Sequence, residues 1–305
     1  MTEFKLSAPV VFIIFNRPDT TEKVFAEIAK AQPPKLLVIG DGPRINRPGE
    51  DERVAATRAI IKRVDWPCDV QVNFSEINLG CKVRVSSGLD WVFEQVPEAI
   101  ILEDDCLPDK SFFQFCEELL DRYRDDHRVG MVSGDNFQFG RSRTEDSYYF
   151  SKYTHIWGWA TWRDRWVDSY DVNMTEWPHT REQGLLVELL GDHKEAAYWS
   201  SLFEKVYLGK IDTWDYQWEF ASWIRNRVSI LPSVNLISNI GFGSQATHTV
   251  RTSHLANLPV SAIQFPLMHP SEVTKNETAD KFTKNNWFMQ PLWKKILQRI
   301  TALIK

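Results

Sequence analysis

Three consecutive carboxylates, Glu103, Asp104 and Asp105, follow the apolar run AIIL at residues 99–102. Adjacent like charges repel, and a carboxylate drawn out of water is costly unless it is hydrogen-bonded or neutralised. Such a cluster suits Mg²⁺ or Mn²⁺, which take few oxygen ligands from protein and complete their shell with water and phosphate. The same trio can also cap the helix that follows, or simply face water. A second acidic stretch, DTWDYQWEF at 212–220, places Asp215 and Glu219 one helical turn apart on one face. Either carboxylate can take a proton from a hydroxyl, although Asp215 can equally cap its helix. Other polar residues stand directly after apolar runs: Asn16 and Arg17 after VVFIIF, and Asp41 after LLVIG.

The elements that must carry these residues alternate in type. The runs 9–15, 35–40, 68–75, 99–103 and 128–134 read as strands, several of them apolar enough for burial on both faces. Helical spacing covers 20–31, with Thr20 or Asp19 as cap, then 54–64, 82–96 and 110–126, the last capped by Asp109. Repeated β-α-β units predict an α/β fold, a mostly parallel sheet with helices on both faces. In such sheets ligands bind outside the carboxyl ends of the strands, where Arg17, Asp41 and the acid trio stand. The chain divides into a regular half (1–140), a less regular half (141–265) and a C-terminal loop and helix (266–305). The second half is rich in Trp and Tyr, with helices near 193–209 and 214–226.

The totals narrow the function. With 305 residues, 43% hydrophobic and 25% charged, the chain reads as globular, and its net charge of −5 argues against nucleic acid as a partner. Cys68, Cys81, Cys106 and Cys116 contain no C-x-x-C pair and read as reduced thiols of a cytosolic protein. The first residues, MTEFKLSAP, carry no signal-peptide pattern.

The series VVFIIFNRP, LLVIGDG, KVRVSSGLDWVFE and AIILEDDCLPDKSFFQF resembles the GT-A glycosyltransferases. Most of all it resembles the inverting N-acetylglucosaminyltransferase I family and its bacterial relatives, over roughly residues 8–250. The resemblance implies a metal-dependent transferase that moves a sugar, N-acetylglucosamine as first choice, from a UDP-sugar to a glycan or lipid-linked acceptor. It implies that Asp105 binds Mn²⁺ (or Mg²⁺), that Asp104 faces the ribose or donor sugar, and that Glu103 supports them from beneath. It assigns Arg17, with Asn16 beside it, to the nucleotide or its phosphates, Asp41 to the uridine, and Arg84 to the helix flanking the donor. DTWDYQWEF is similar to the family's Trp-Asp-Asp-Trp segment, making Asp215 the base. Tyr216 and Gln217 depart from that pattern and keep Glu219 in contention. HIWGWATWRDRW (155–166) matches a Gly-Trp segment in which Trp157 or Trp159 can lie beneath a sugar and Gly158 permits close approach, while core packing claims two of Trp157, Trp159 and Trp162. NIGFGSQATHT (239–249) resembles a loop that closes over the donor on Gly241 and Gly243, with His248 as a phosphate or metal ligand.

The tail, PLWKKILQRITALIK (291–305), gathers Trp293, Ile296, Leu297, Ile300, Leu303 and Ile304 on one stripe with basic residues elsewhere. It fits peripheral contact with the inner face of a bacterial membrane, or packing on protein. Two other functions share parts of this pattern. A sugar-phosphate nucleotidyltransferase needs a Gly-rich loop after the first strand, where this chain has FNRPDTTEK without glycine. A non-catalytic carbohydrate-binding protein on the same fold would use the 13 tryptophans but leave the acids without purpose.

Overall fold

The computed structural model describes residues 4–242 and 255–289. His248, Gly243 and the 291–305 stripe lie outside the described residues. The strands are β1 (Val10–Ile14), β2 (Lys35–Gly40), β3 (Asp69–Phe74), β4 (Glu98–Glu103), β5 (Cys106–Pro108), β6 (Val129–Ser133), β7 (Tyr148–Ser151), β8 (Trp159–Trp162), β9 (Val228–Pro232) and β10 (Ile237–Asn239). The helices are α1 (Pro18–Ala31), α2 (Glu50–Ile61), α3 (Gly80–Gln95), α4 (Ser111–Tyr123), α5 (Arg163–Val167), α6 (Trp177–Glu182), α7 (Leu185–Leu190), α8 (His193–Tyr207), α9 (Asp215–Ile224) and α10 (Glu277–Thr283), followed by a π-helical turn at Lys284–Phe288.

Eight strands form one sheet in the order β3-β2-β1-β4-β8-β6-β9-β7. β8 runs against β4 and β6, β7 runs against β9, and the other neighbours pair parallel. The expected α/β class, a mostly parallel sheet between helical layers, is the one observed. Strand alternation divides the core. Val10, Phe12, Ile14, Leu36 and Val38 face α1 and α4, whereas Val11, Ile13, Leu37 and Ile39 face α3 and α9. Strands from either side of residue 140 share this one sheet.

Register sets the site. Ile13 pairs with Glu103 and Ile14 with Gly40, so β1, β2 and β4 end level and release residues 15–17, 41 and 104–105 at one edge. α1 begins at Pro18, two residues before the expected start, and neither Thr20 nor Asp19 caps it. Proline at N1 has the required φ already and lacks the N–H that would be orphaned there. Arg17 therefore becomes the N-cap by backbone alone, and its side chain is left to the acids. At α4, Asp109 accepts from the Ser111 N–H (2.9 Å) and hydroxyl (2.6 Å). Beyond the trio, β5 pairs antiparallel with β10 and brings the 239–242 segment over Asp105.

A separate aromatic cluster of Tyr153, Trp177, Trp199, Phe203, Phe220 and Trp223 holds α6, α8 and α9 together. The short helices α5, α6, α7 and α10 have no counterpart in the sequence reading. At five to seven residues each they are too short for a helical period to show.

Candidate active site

The strand tips enclose a cavity of about 230 Å³ lined by Arg17, Asp41, Arg44, Arg84, Glu103 and Asp104, among others. It opens onto a second of about 410 Å³, with which it shares Arg17, Cys81, Glu103 and Asp212. The second adds Asp105, Trp157, Asp215, Tyr216 and Gly241. A third, of about 160 Å³, shares Ile156, Trp157, Asp215 and Tyr216 with the second. Together they make one trough from the tip of β2 to the start of α9.

Arg17 joins the acids. Its Nη1 donates to Asp105 Oδ2 at 2.5 Å and lies 3.8 Å from Asp104 Oδ1. Burial alone would favour its neutral form, but the Asp104 and Asp105 charges outweigh this and hold the guanidinium firmly protonated. Asp104 Oδ2 also accepts from the Phe15 N–H at 3.0 Å. Glu103 lines both of the first two cavities, and its carboxylate accepts no hydrogen bond among the described residues. Burial first, then the neighbouring acids, push the Glu103 carboxyl well above the usual range. Asp104 is raised chiefly by burial too. Arg17 thus pairs with Asp105, while burial drives Glu103 and Asp104 toward the protonated form. Gly241 closes over the pair: a Cβ there would fall 2.5 Å from Arg17 Nη1 and closer still to Asp105 Oδ2. Only glycine permits that approach.

Among the described residues, no three His, Cys, Asp or Glu side chains converge to hold a metal by themselves. The donor set still fits a hard divalent cation that arrives with its own oxygens: two carboxyl groups, Glu103 and Asp105, face one cavity, and a cation there would favour their ionised forms.

Asp41 and Arg84 line the first cavity, but much of their bonding capacity is already used. Asp41 accepts from the N–H groups of Gly42, Leu79 and Gly80 and from the Asn78 amide, at 2.9–3.2 Å. Burial raises its pKa against the opposing pull of these N–H groups. Asp212 accepts from Cys81 N and Lys82 N, so acids from both halves of the chain cover the start of α3. Arg84 donates to the Asn73 backbone (3.1 Å) and side-chain (2.8 Å) oxygens, and burial lowers its pKa.

Asp215 opens α9 between the second and third cavities and accepts from the Thr213 hydroxyl. The N-cap of that helix is Trp214, not Asp215. Glu219 lines only the third cavity. Its Oε2 accepts from Thr154 N at 2.8 Å and from the Thr154 hydroxyl, and burial raises its pKa to about 8. Trp157 lines the second and third cavities.

Three expected site residues stand elsewhere. Asn16 lines none of these cavities; its amide donates to Glu50 at 2.7 Å, next to the Arg44 guanidinium that drives Glu50 down to about 2. Trp159 is 0% exposed and stacks on Trp214 at 5.5 Å, because it opens β8 with its ring in the core. Gly158 has φ +67°, and a Cβ there would meet Ile237 at 2.5 Å, so its smallness serves packing against β10. Conversely, Arg44, Asp135 and Trp287 line the trough and were not read from the sequence. Arg44 follows Asp41-Gly42-Pro43 at a strand tip, a position that signals it; Asp135 and Trp287 have no local signal.

No family model and no curated protein matches this chain. Among solved structures, the galactosyltransferase LgtC in complex with donor and acceptor sugar analogues is similar over 57% of this chain and 64% of its own, at 12% identity and TM-score 0.34. This chain thus spans under two thirds of LgtC. UDP-glucose pyrophosphorylase complexed with UDP-glucose covers 74% and 90% at 9% identity (TM-score 0.36), and mouse xyloside xylosyltransferase 1 covers 70% and 81% at 10% (TM-score 0.34).

Proposed function

We propose that this chain is a glycosyltransferase that moves a sugar from a nucleotide diphosphate donor, a UDP-sugar, to an acceptor hydroxyl with inversion. The observation that supports it most is the position of Asp215. It stands where the cavity lined by Arg17, Glu103 and Asp105 meets a second, aromatic cavity. The strand-tip cavity receives the nucleotide, with the Arg17, Arg44 and Arg84 side chains along its wall offering positive charge to the diphosphate. A divalent cation, Mn²⁺ or Mg²⁺, would be held by Asp105 with Glu103 and would stabilise charge on the departing diphosphate. Arg17 orients Asp105 and adds its own charge to the leaving group.

Asp215 takes the acceptor hydroxyl proton as that oxygen attacks C1 of the donor sugar. The new O–C1 bond forms on the face opposite the departing diphosphate, and the bond from C1 to the diphosphate oxygen breaks. Thr213 donates to Asp215 Oδ1 and orients the carboxylate at the head of α9. N-acetylglucosamine is our choice of sugar, on the sequence resemblance.

Ligands that bind only the folded state raise its melting temperature by mass action. A panel of UDP-, GDP-, CMP- and dTDP-sugars, each with and without Mn²⁺, should yield a shift with a UDP-sugar. That shift should need Mn²⁺ and disappear in Asp105→Ala. No shift with any nucleotide under either condition would remove the transferase reading.

A further inference from the structure

The third cavity lies between α9, the segment 154–157 and the π-helical turn, and holds two buried acids. Asp135 is 1% exposed and Glu219 is 3%. Each acid spends one oxygen on the same short segment: Asp135 Oδ2 accepts from Trp157 N at 3.0 Å, and Glu219 Oε2 accepts from Thr154 N at 2.8 Å. Each keeps its other oxygen, Asp135 Oδ1 and Glu219 Oε1, buried with no hydrogen-bond partner among the described residues. Buried polar atoms left in that state are rare and call for a partner. The remaining wall is aromatic. Phe137 stacks on Trp287 at 5.6 Å, Trp157 meets Phe137 edge-on at 5.2 Å, and Trp199 packs on Phe288 at 4.8 Å. Apolar rings with a few convergent polar atoms are the composition of a small-molecule site.

We propose that this cavity seats one neutral sugar ring of the acceptor, gripped through its hydroxyls by Asp135 and Glu219 and packed against Trp157 and Trp287. The proposal rests on the transferase reading and makes Glu219 a residue that binds the acceptor, not the base. The cavity opens past Asp215, so a ring seated there presents an adjoining hydroxyl to that carboxylate. A neutral ligand suits the groups present. Burial keeps the Asp135 carboxyl far above its ordinary range, brings Glu219 to about 8 and lowers the His155 imidazole to about 3. Glu219 and His155 are then uncharged near neutral pH, and burial drives Asp135 the same way. A protonated carboxyl can both donate and accept, which matches a sugar hydroxyl better than an ammonium or a phosphate.

The full chain should be titrated with the methyl glycosides of glucose, galactose, mannose and N-acetylglucosamine. Saturation-transfer NMR and tryptophan fluorescence would read binding, and the UDP–Mn²⁺ melting shift would be measured in parallel. At least one glycoside should bind the native protein, and its affinity should fall at least about tenfold in Asp135→Asn and in Glu219→Gln with the UDP shift unchanged. Trp287→Leu, on the partly exposed wall, should weaken the same glycoside and serves if an acid variant does not fold. Equal affinity in all variants overturns the inference. So does absence of glycoside binding beside a normal UDP shift, which leaves the donor site standing. Glycoside binding lost in the variants, with no nucleotide shift from any protein, supports the sugar seat and removes the transferase reading instead.

Discussion

The two ends of the trough are built in opposite ways. At the strand tips burial also raises Glu103 and Asp104, but arginines stand among the acids: Arg17 with Asp104 and Asp105, and Arg44 with Glu50. At the aromatic end, among the described residues, Asp135 and Glu219 make no ion pair, and burial pushes them toward the neutral state. The first end suits a multiply charged ligand whose phosphates rebalance the field. The second suits an uncharged ligand that replaces water one hydrogen bond at a time. Asp215 lies where these environments meet, as a group that must exchange a proton between a neutral hydroxyl and a charged leaving reaction should.

The largest expected effect tests that junction. Asp215→Asn should reduce sugar transfer by about 10²–10⁴-fold while the UDP–Mn²⁺ melting shift stays in place. Near-native turnover would remove Asp215 from the chemistry and return Glu219 to the base role. Next comes the charged end. Arg17→Met removes the guanidinium and leaves the trio unbalanced, which should destabilise the fold by about 3–5 kcal/mol in urea denaturation at neutral pH. An unchanged midpoint would mean that water already screens the trio and that Arg17 serves only the ligand.

How much of this was legible in the sequence follows the same division. The charged end was readable because β1, β2 and β4 are continuous apolar runs, and a polar residue directly after such a run must sit at the sheet edge. Arg17, Asp41 and Glu103 to Asp105 were found by that rule. It failed for Asn16, since which way a loop amide turns depends on Glu50, 34 residues away. The aromatic end was mostly unreadable. Asp135, Thr154, Glu219 and Trp287 meet only through the tertiary fold, and Trp159 and Trp157 differ in role by their position on one short stretch. Glu219 emerged from helical spacing, but its partner Thr154 and its burial did not. The expectation that two of the three tryptophans at 157–162 pack the core held, for Trp159 and Trp162.

A smaller effect sharpens the contrast through pH. Glu219 has a folded pKa near 8, above the ordinary carboxyl value. Between about 4.5 and 8 the folded state therefore holds a proton that the unfolded state has released, so this residue makes stability fall as pH rises. The Gln variant has no such proton. Melting curves of native protein and Glu219→Gln should diverge in favour of the variant with rising pH across that window, by at most about 1.4 kcal/mol per pH unit. Parallel curves would place a charged Glu219 in the cavity and undo the neutral-ligand argument.

The smallest effect concerns Asn16. Its amide donates to a Glu50 carboxylate that Arg44 already holds through Nε and Nη2. Removing one of several donors to an ion pair should cost little, so Asn16→Ala should lower stability by roughly 1 kcal/mol. The UDP–Mn²⁺ shift should not change, because the side chain lines no part of the trough. A variant that folds as well as the native protein yet loses the nucleotide shift would move Asn16 back to the ligand. The Glu50–Arg44 pair would then be part of the nucleotide site instead of its support, and the charged end would extend beyond the strand tips into the 42–50 loop.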